Sequence, residues 1–267
     1  MPESLELNKI YCCNALDLMA RMPDGFIDLT VTSPPYDDLR SYNGYDFDFE
    51  PIARELYRVT KKGGVVVWVV GDATVNGSET GTSFNQALYF KEIGFNLHDT
   101  MIYQKNSYPF PPSNRYYQQF EYMFIFSNGT PETFNGLEQR TKWQKGTGEV
   151  STTRQSDGST KEMKYEKGKE MRLRDNVWQI DTGFMRTNGD AISYQHPAMF
   201  PDVLAKDHIL SWSNENDLVY DPFMVSGTTA KAAHQLNRRW IGSEISSEYV
   251  GLANKRLEPY LAQSSLF

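Results

Sequence analysis

Two stretches far apart in the chain carry residue types whose spacing implies chemistry. The first is Thr32-Ser33-Pro34-Pro35-Tyr36. It follows Phe26-Ile27-Asp28-Leu29-Thr30-Val31, whose apolar and β-branched content reads as a buried strand ending at Thr32. In an open α/β sheet, the carboxyl end of a strand is where ligands bind. Two consecutive prolines fix φ, remove two N–H donors and press the preceding residues into extended conformations, so the carbonyls of this turn face outward as acceptors. Acceptors beside the ring of Tyr36 suit a flat guest with an exocyclic NH₂, which donates two hydrogen bonds while its face stacks on the tyrosine. A stiff surface turn is the alternative reading of this motif taken by itself.

The second stretch is Leu218-Val219-Tyr220-Asp221-Pro222-Phe223-Met224-Val225-Ser226-Gly227-Thr228-Thr229-Ala230, a strand running into a small-residue turn and an alanine-rich helix. Strand, glycine turn and helix also describe the phosphate sites of nucleotide hydrolases and kinases. Such a loop needs a lysine immediately before its Ser or Thr, and Gly227-Thr228-Thr229 has none. The next strand, Arg239-Trp240-Ile241-Gly242-Ser243, ends at Glu244, 17 residues past Gly227. A carboxylate at about that spacing suits the two hydroxyls of a ribose.

With both motifs in view, the chain resembles the amino-group DNA methyltransferases that use S-adenosylmethionine, in the circularly permuted order with the catalytic motif first and the cofactor turn last. The likeness covers nearly the whole length. It implies an α/β fold: a doubly wound, mostly parallel sheet of the seven-stranded, Rossmann-like methyltransferase type, with an antiparallel pair at its end and an inserted DNA-recognition segment. It divides the chain into a catalytic part (1–127), the inserted target-recognition segment (128–193) and a cofactor-binding part (194–267). By resemblance Ser33, Pro34, Pro35 and Tyr36 hold a flipped-out base. Asn14, His196, Phe200, Asp221, Phe223, Ser226, Gly227, Thr228, Thr229 and Glu244 form the site for S-adenosylmethionine. The segment His196-Pro197-Ala198-Met199-Phe200-Pro201 matches one against which the methionine part of the cofactor lies.

In this family serine at the place of Ser33 goes mostly with cytosine and aspartate mostly with adenine, so the resemblance implies methyl transfer to N4 of cytosine, with N6 of adenine as the alternative. Double-stranded DNA is the implied partner; a homodimer and a cognate restriction nuclease are left open. Two positions depart from the family pattern. Asn14 stands where an aspartate usually meets the cofactor's adenine, and an N-cap role is an equal reading of it. Val225 stands where the family's turn has its first glycine, and a β-branched residue is costly if φ there is positive. A catalytically defective DNA-binding paralogue is therefore the competing class.

Composition is compatible with this reading. The 267 residues allow one sizeable α/β domain with an insertion, and 39% hydrophobic content is enough for a packed core. The longest apolar run, Val65 to Val70, is far short of the roughly 20 residues needed to span a bilayer. No signal peptide is evident at Met1-Pro2-Glu3-Ser4, so a cytoplasmic location without membrane association is expected. Cys12 and Cys13 are adjacent, read as two buried small apolar residues, and no metal-ligand spacing exists. The net charge of −7 argues against a protein that coats nucleic acid, but its distribution is uneven. From Arg140 to Asp175 ten Lys or Arg face six Asp or Glu, a positive stretch in an acidic chain. Lys142, Trp143, Arg154, Lys164, Arg172 and Arg174 are the candidates there for contact with phosphates or bases.

The positioning elements follow from periodicity. Ile10 to Cys13 reads as a strand and Ala15 to Met22 as a short helix. Glu50 to Thr60 reads as a helix stopped at Lys61-Lys62-Gly63-Gly64, and Val65 to Val70 as a strand parallel to the catalytic one. Phe84 to Ile93 is the next helix; Leu97 to Gln104 and Phe120 to Phe126 read as an antiparallel pair. Val177 to Ile180 suggests a short strand, and His196 opens a helix to about Ser211 with Val203, Leu204, Ile209 and Leu210 as its apolar face.

Overall fold

The computed structural model describes residues 5–35, 47–106, 114–141, 150–164, 170–183, 185–195 and 200–263. They fall into two compact units, one made of Met1–Asn135 with Asn176–Phe267 and the other of Gly136–Asp175. The expected insertion, 128–193, is thus wider than the separate unit, because residues on either side of 136–175 pack with the main sheet.

The first half builds its centre from strands covered on both faces. β1 (Lys9–Cys12) leads through α1 (Ala15–Met19) to β2 (Ile27–Thr32), and α2 (Phe49–Val59) leads to β3 (Thr60–Val70). In β2 not only Ile27, Leu29 and Val31 but also Thr30 and Thr32 are buried, the mark of a central parallel strand. α2 turns Ile52, Ala53, Leu56 and Val59 inward, and β3 runs parallel to β2. The Lys61–Gly64 stretch, expected to stop a helix, belongs to β3 itself. The register between β2 and β3 shifts between Ile27 and Leu29. Gly64 packs so close to Thr60 and the Asp28 carbonyl that a Cβ would lie 2.9–3.0 Å from them. Gly63, at φ +80°, donates its N–H to the Asn128 carbonyl.

A small hairpin, β4 (Thr74–Val75) and β5 (Ser78–Glu79), precedes α3 (Thr82–Glu92), β6 (Asn96–Lys105) and β7 (Phe120–Ser127). The separate unit holds β8 (Glu138–Arg140), β9 (Val150–Arg154), β10 (Thr160–Lys164) and β11 (Met171–Leu173). The main unit then resumes with β12 (Val177–Ile180), α4 (Asp202–Trp212), β13 (Leu218–Asp221), α5 (Thr228–Gln235), β14 (Arg239–Glu244) and α6 (Ser247–Gln263).

The main sheet runs β1-β14-β13-β2-β3-β7-β6-β12. Among the described residues the antiparallel pairings in it are β3 with β7 and β7 with β6, and the other neighbours run parallel. The antiparallel pair β6 and β7 forms as expected, but it does not end the sheet. β12 adds an eighth, parallel strand on β6, turning Trp178 and Ile180 inward and Val177 and Gln179 outward. Asn135 and Asn176 mark the points where the chain leaves and rejoins this unit. Asn135 donates to the carbonyls of Leu210, Ser211 and Ser213; Asn176 accepts from Ile102 N–H and donates to the Thr100 carbonyl.

Three local expectations are corrected. Cys12 is exposed and Cys13 half-buried rather than both core, because β1 is an edge strand. α4 begins at Asp202, after Pro201, with residues 196–199 outside the described set. Its Val203 is exposed, and Ala205 and His208 join Leu204 and Ile209 on the inner face.

Within Gly136–Asp175, β9 and β10 form one antiparallel ribbon and β8 and β11 another. No described residue of this unit is buried. Val150, Met163, Met171 and Leu173 are all at least 40% exposed. Among the described residues of the whole chain, no helix is long and apolar enough to cross a membrane, and no group of three metal-ligating side chains occurs.

Candidate active site

The two motifs meet at the middle of the sheet. From β2 the chain proceeds outward through β3, and from β13 it proceeds the other way to β14, so the neighbouring carboxyl ends of β2 and β13 form the point where the connections diverge. A doubly wound sheet opens its ligand crevice at such a point. There the Thr32 hydroxyl donates to Asp221 Oδ1 at 2.7 Å, joining residues 189 positions apart. Ser33 and Pro35 follow as half-buried residues and Pro34 is buried; Tyr36 lies outside the described residues.

β13 feeds the turn in a conformation that few residues other than glycine adopt. Val225 sits at φ +49° and Gly227 at φ +76°. A left-handed β-branched residue costs roughly 1–2 kcal/mol, so its surroundings must hold it in place. Glu244 at the end of β14 is one such hold. Its Oε2 accepts the Val225 N–H at 3.0 Å and its Oε1 accepts the Ser246 N–H at 2.9 Å. Met224 N–H bonds the Ser243 carbonyl, and Gly227 N–H closes the turn on the Met224 carbonyl. Gly242 leaves room for the Met224 side chain, whose Cε would lie 1.9 Å from any added Cβ.

Burial and charge are in tension here. Asp221 is 5% exposed, and its carboxyl is pushed up to about 6 by burial, moderated by hydrogen bonds from the Thr32 hydroxyl and the Phe223 N–H. Burial also raises Glu244, against the hydrogen bonds that favour its charged form. Each carboxylate has about four acceptor positions, so the backbone bonds leave capacity for hydroxyl or ammonium donors. Phe223 packs against the core, edge-on to Phe47 at 5.5 Å and to Trp68 at 6.3 Å.

The other expected cofactor residues divide by what their side chains do. Asn14 is the N-cap of α1, its Oδ1 accepting the Leu16 N–H at 2.9 Å, so the capping reading holds for that oxygen. Phe200 is half-buried, and His196 lies outside the described residues. The Thr229 hydroxyl donates to the Val31 carbonyl, tying α5 to β2. Ser226 and Thr228 turn their hydroxyls inward to Arg256, at 3.4 and 2.7 Å.

Arg256 belongs to a cluster that sequence motifs did not reveal. Its Nε and Nη2 donate to Asp190 and Asp202, and Lys231 Nζ donates to the same two aspartates, so four charges close a ring with contacts of 2.8–2.9 Å. No local signal could have announced it, since Asp190 and Arg256 are 66 positions apart.

Of the expected DNA-contacting residues, Arg154 is exposed on β9, and Lys164 ends β10. Arg172 is committed to a bidentate pair with Asp175 at 2.6 and 2.7 Å, which ties down a guanidinium expected to face DNA. Arg174 donates its backbone N–H to the Leu137 carbonyl. Lys142 and Trp143 lie outside the described residues.

A mostly parallel sheet with a carboxylate-bearing turn at its switch point, and Ser-Pro-Pro directly after the adjoining strand, is the arrangement that the resemblance to amino-group methyltransferases implies. Residues 27–255 match the family model described as DNA methylase, of the N6/N4 type, and the chain belongs to that family. It is 61% identical over 241 residues to the orphan methyltransferase M.BamHII of Bacillus amyloliquefaciens, covering 89% of this chain and 91% of that one. It is 28% identical over 255 residues to the type II methyltransferase M.BglII of Bacillus subtilis, covering 92% and 68%. Among solved structures it superposes on the cytosine-N4-specific PvuII DNA methyltransferase with a TM-score of 0.67 at 21% identity, covering 95% and 87%, which bears on the fold.

Proposed function

We propose that this DNA methyltransferase moves a methyl group from S-adenosylmethionine to N4 of a cytosine flipped out of double-stranded DNA. The observation that carries the reading is the Thr32–Asp221 hydrogen bond, which brings the strand leading into Ser33-Pro34-Pro35 beside the strand that ends at Asp221 and feeds the Val225–Thr228 turn. The donor set fits the cofactor. Asp221 and Glu244 are acceptors suited to hydroxyls and cationic groups, while the neighbouring cations Lys231 and Arg256 are already paired with carboxylates and offer no phosphate site. Glu244 holds the ribose hydroxyls through lone pairs left by the Val225 and Ser246 N–H bonds, and Asp221 supplies negative charge at the adjoining strand end. When bound, the cofactor supplies a methyl group already activated by positive sulfur.

The protein's own task is then alignment. An exocyclic amino nitrogen is a poor nucleophile because its lone pair is delocalised into the ring. Acceptors at Ser33 and the Pro34 carbonyl draw on its two hydrogens and favour a pyramidal nitrogen; Tyr36 replaces the stacking that flipping removes. Serine at position 33 favours cytosine, since a hydroxyl can accept from the amino group or donate to the neighbouring ring nitrogen. The likeness to an orphan methyltransferase supports action without a cognate nuclease. Arg154 and the lysines of Gly136–Asp175 serve the DNA backbone in this reading.

The test is product identity. DNA from cells expressing the chain, digested to nucleosides and separated by mass spectrometry, should contain N4-methyl-2′-deoxycytidine. N6-methyl-2′-deoxyadenosine as the sole methylated product would refute the choice of base and leave the site intact.

A further inference from the structure

The ring of Asp190, Asp202, Lys231 and Arg256 is more than a tie between helices. α4 contributes Asp202, α5 Lys231 and α6 Arg256, and Asp190 comes from the segment before α4. Two cations and two carboxylates cancel, which is how charges tolerate burial. Lys231 ends its work there: its ammonium bonds the two aspartates at 2.8–2.9 Å and lies 5.3 Å from the Tyr260 ring centre. Arg256 continues. With 1% of its side chain exposed, it turns its third nitrogen, Nη1, to the Ser226 carbonyl at 3.1 Å and the Thr228 hydroxyl at 2.7 Å.

Those two acceptors flank Gly227, at φ +76°, and follow Val225, at φ +49°. Glu244 anchors the first half of this turn through the Val225 N–H; Arg256 anchors the second half from the opposite chemical side, as donor to a carbonyl and a hydroxyl. A guanidinium suits the post because its planar fork presents donors in several fixed directions at once, which an ammonium on a flexible stem does not. We propose that Arg256 is a positioning residue for cofactor binding: Asp190 and Asp202 hold its guanidinium, and its own Nη1 contacts to Ser226 and Thr228 fix the geometry of the Val225–Thr228 turn. The inference rests on the turn's role in holding S-adenosylmethionine.

Two variants separate positioning from mere stability. Arg256→Lys keeps the charge facing the aspartates and gives up the reach to the turn, whereas Lys231→Gln damages the ring and leaves the Ser226 and Thr228 contacts in place. Calorimetric titration of the full chain with S-adenosylmethionine, beside thermal melts, should show both variants melting lower. Only Arg256→Lys should lose cofactor affinity, by about ten-fold or more, with Lys231→Gln within about two-fold of wild type. Equal affinity losses in the two variants, or wild-type affinity in Arg256→Lys, would overturn the inference. If Arg256→Lys shows no cooperative melt, Asp190→Asn takes its place, since it loosens the guanidinium at constant volume; the same loss is expected, and its absence overturns the inference equally. A wild-type chain that fails to bind S-adenosylmethionine would instead sink the cofactor reading on which this stands.

Discussion

The turn after β13 and the Gly136–Asp175 unit obey opposite physical rules. Around the turn nearly every polar group is buried and matched: Asp221 to Thr32, Glu244 to two backbone N–H groups, Arg256 to two aspartates and the turn itself. In Gly136–Asp175 the ribbons β8–β11 and β9–β10 satisfy their own backbone, yet no described side chain is buried, so no core resists local opening. A site that must hold one small molecule in one orientation gains from rigidity. In the proposed reading Gly136–Asp175 meets a long, charged, deformable partner, for which such rigidity is not needed and ordering on contact suffices.

The sharpest way to break the comparison is through charge burial at the turn. Asp221 takes up a proton more readily folded than unfolded, its carboxyl rising from the usual 3.8 to about 6. For an acid raised on folding, stability is greatest at low pH and declines as pH rises through that interval. Asp221→Asn, neutral throughout, should therefore melt several degrees higher than wild type at pH 7.5, reflecting up to ~3 kcal/mol, while binding S-adenosylmethionine more weakly. The gain should vanish near pH 4, since wild-type Asp221 is then protonated in the fold. A melting difference independent of pH would show that the turn carries no charge strain.

Glu244→Ala comes next in size. It removes the acceptor for the Val225 and Ser246 N–H groups and the proposed ribose contact, so cofactor affinity should fall by about 1.5–3 kcal/mol, or roughly ten- to a hundred-fold. DNA binding measured without cofactor should hardly change. An unchanged cofactor dissociation constant would take Glu244 out of the site. The smallest effect tests the other region. Neutralising Lys161, Lys164, Lys167 and Lys169 should leave the melting temperature nearly unaltered and flatten the salt dependence of DNA affinity, by up to ~0.9 in log–log slope for each phosphate that is no longer neutralised. A steep slope retained would make this unit a bystander.

What could be read from the sequence followed the range of the interactions involved. β2 and β3 were legible because a central parallel strand buries both faces and shows as an unbroken apolar run, as Val65 to Val70 does. Val225 was legible as a departure from a glycine position, and the structure turns that departure into a positive φ held by Glu244. The Asp190–Asp202–Lys231–Arg256 ring was not legible, since each member alone is an ordinary charge in a helix or turn, and only the fold brings them together. The limits of the separate unit were hidden for a related reason. Residues 128–193 lack any sustained period, so nothing local distinguishes the part that rejoins the main sheet, through β12, from the part that does not.

The two asparagines where the chain leaves and rejoins the sheet carry a consequence for how such enzymes diversify. Asn135 is fastened to the end of α4 and Asn176 to β6, so the intervening segment departs from one fixed post and returns to another. These hydrogen bonds all run to residues of the main unit. A segment mounted this way has the layout of an exchangeable cassette: grafts cut at the posts should leave β7, β6 and β12 undisturbed, and, if the segment reads DNA as proposed, its replacement would change target preference without rebuilding the main sheet.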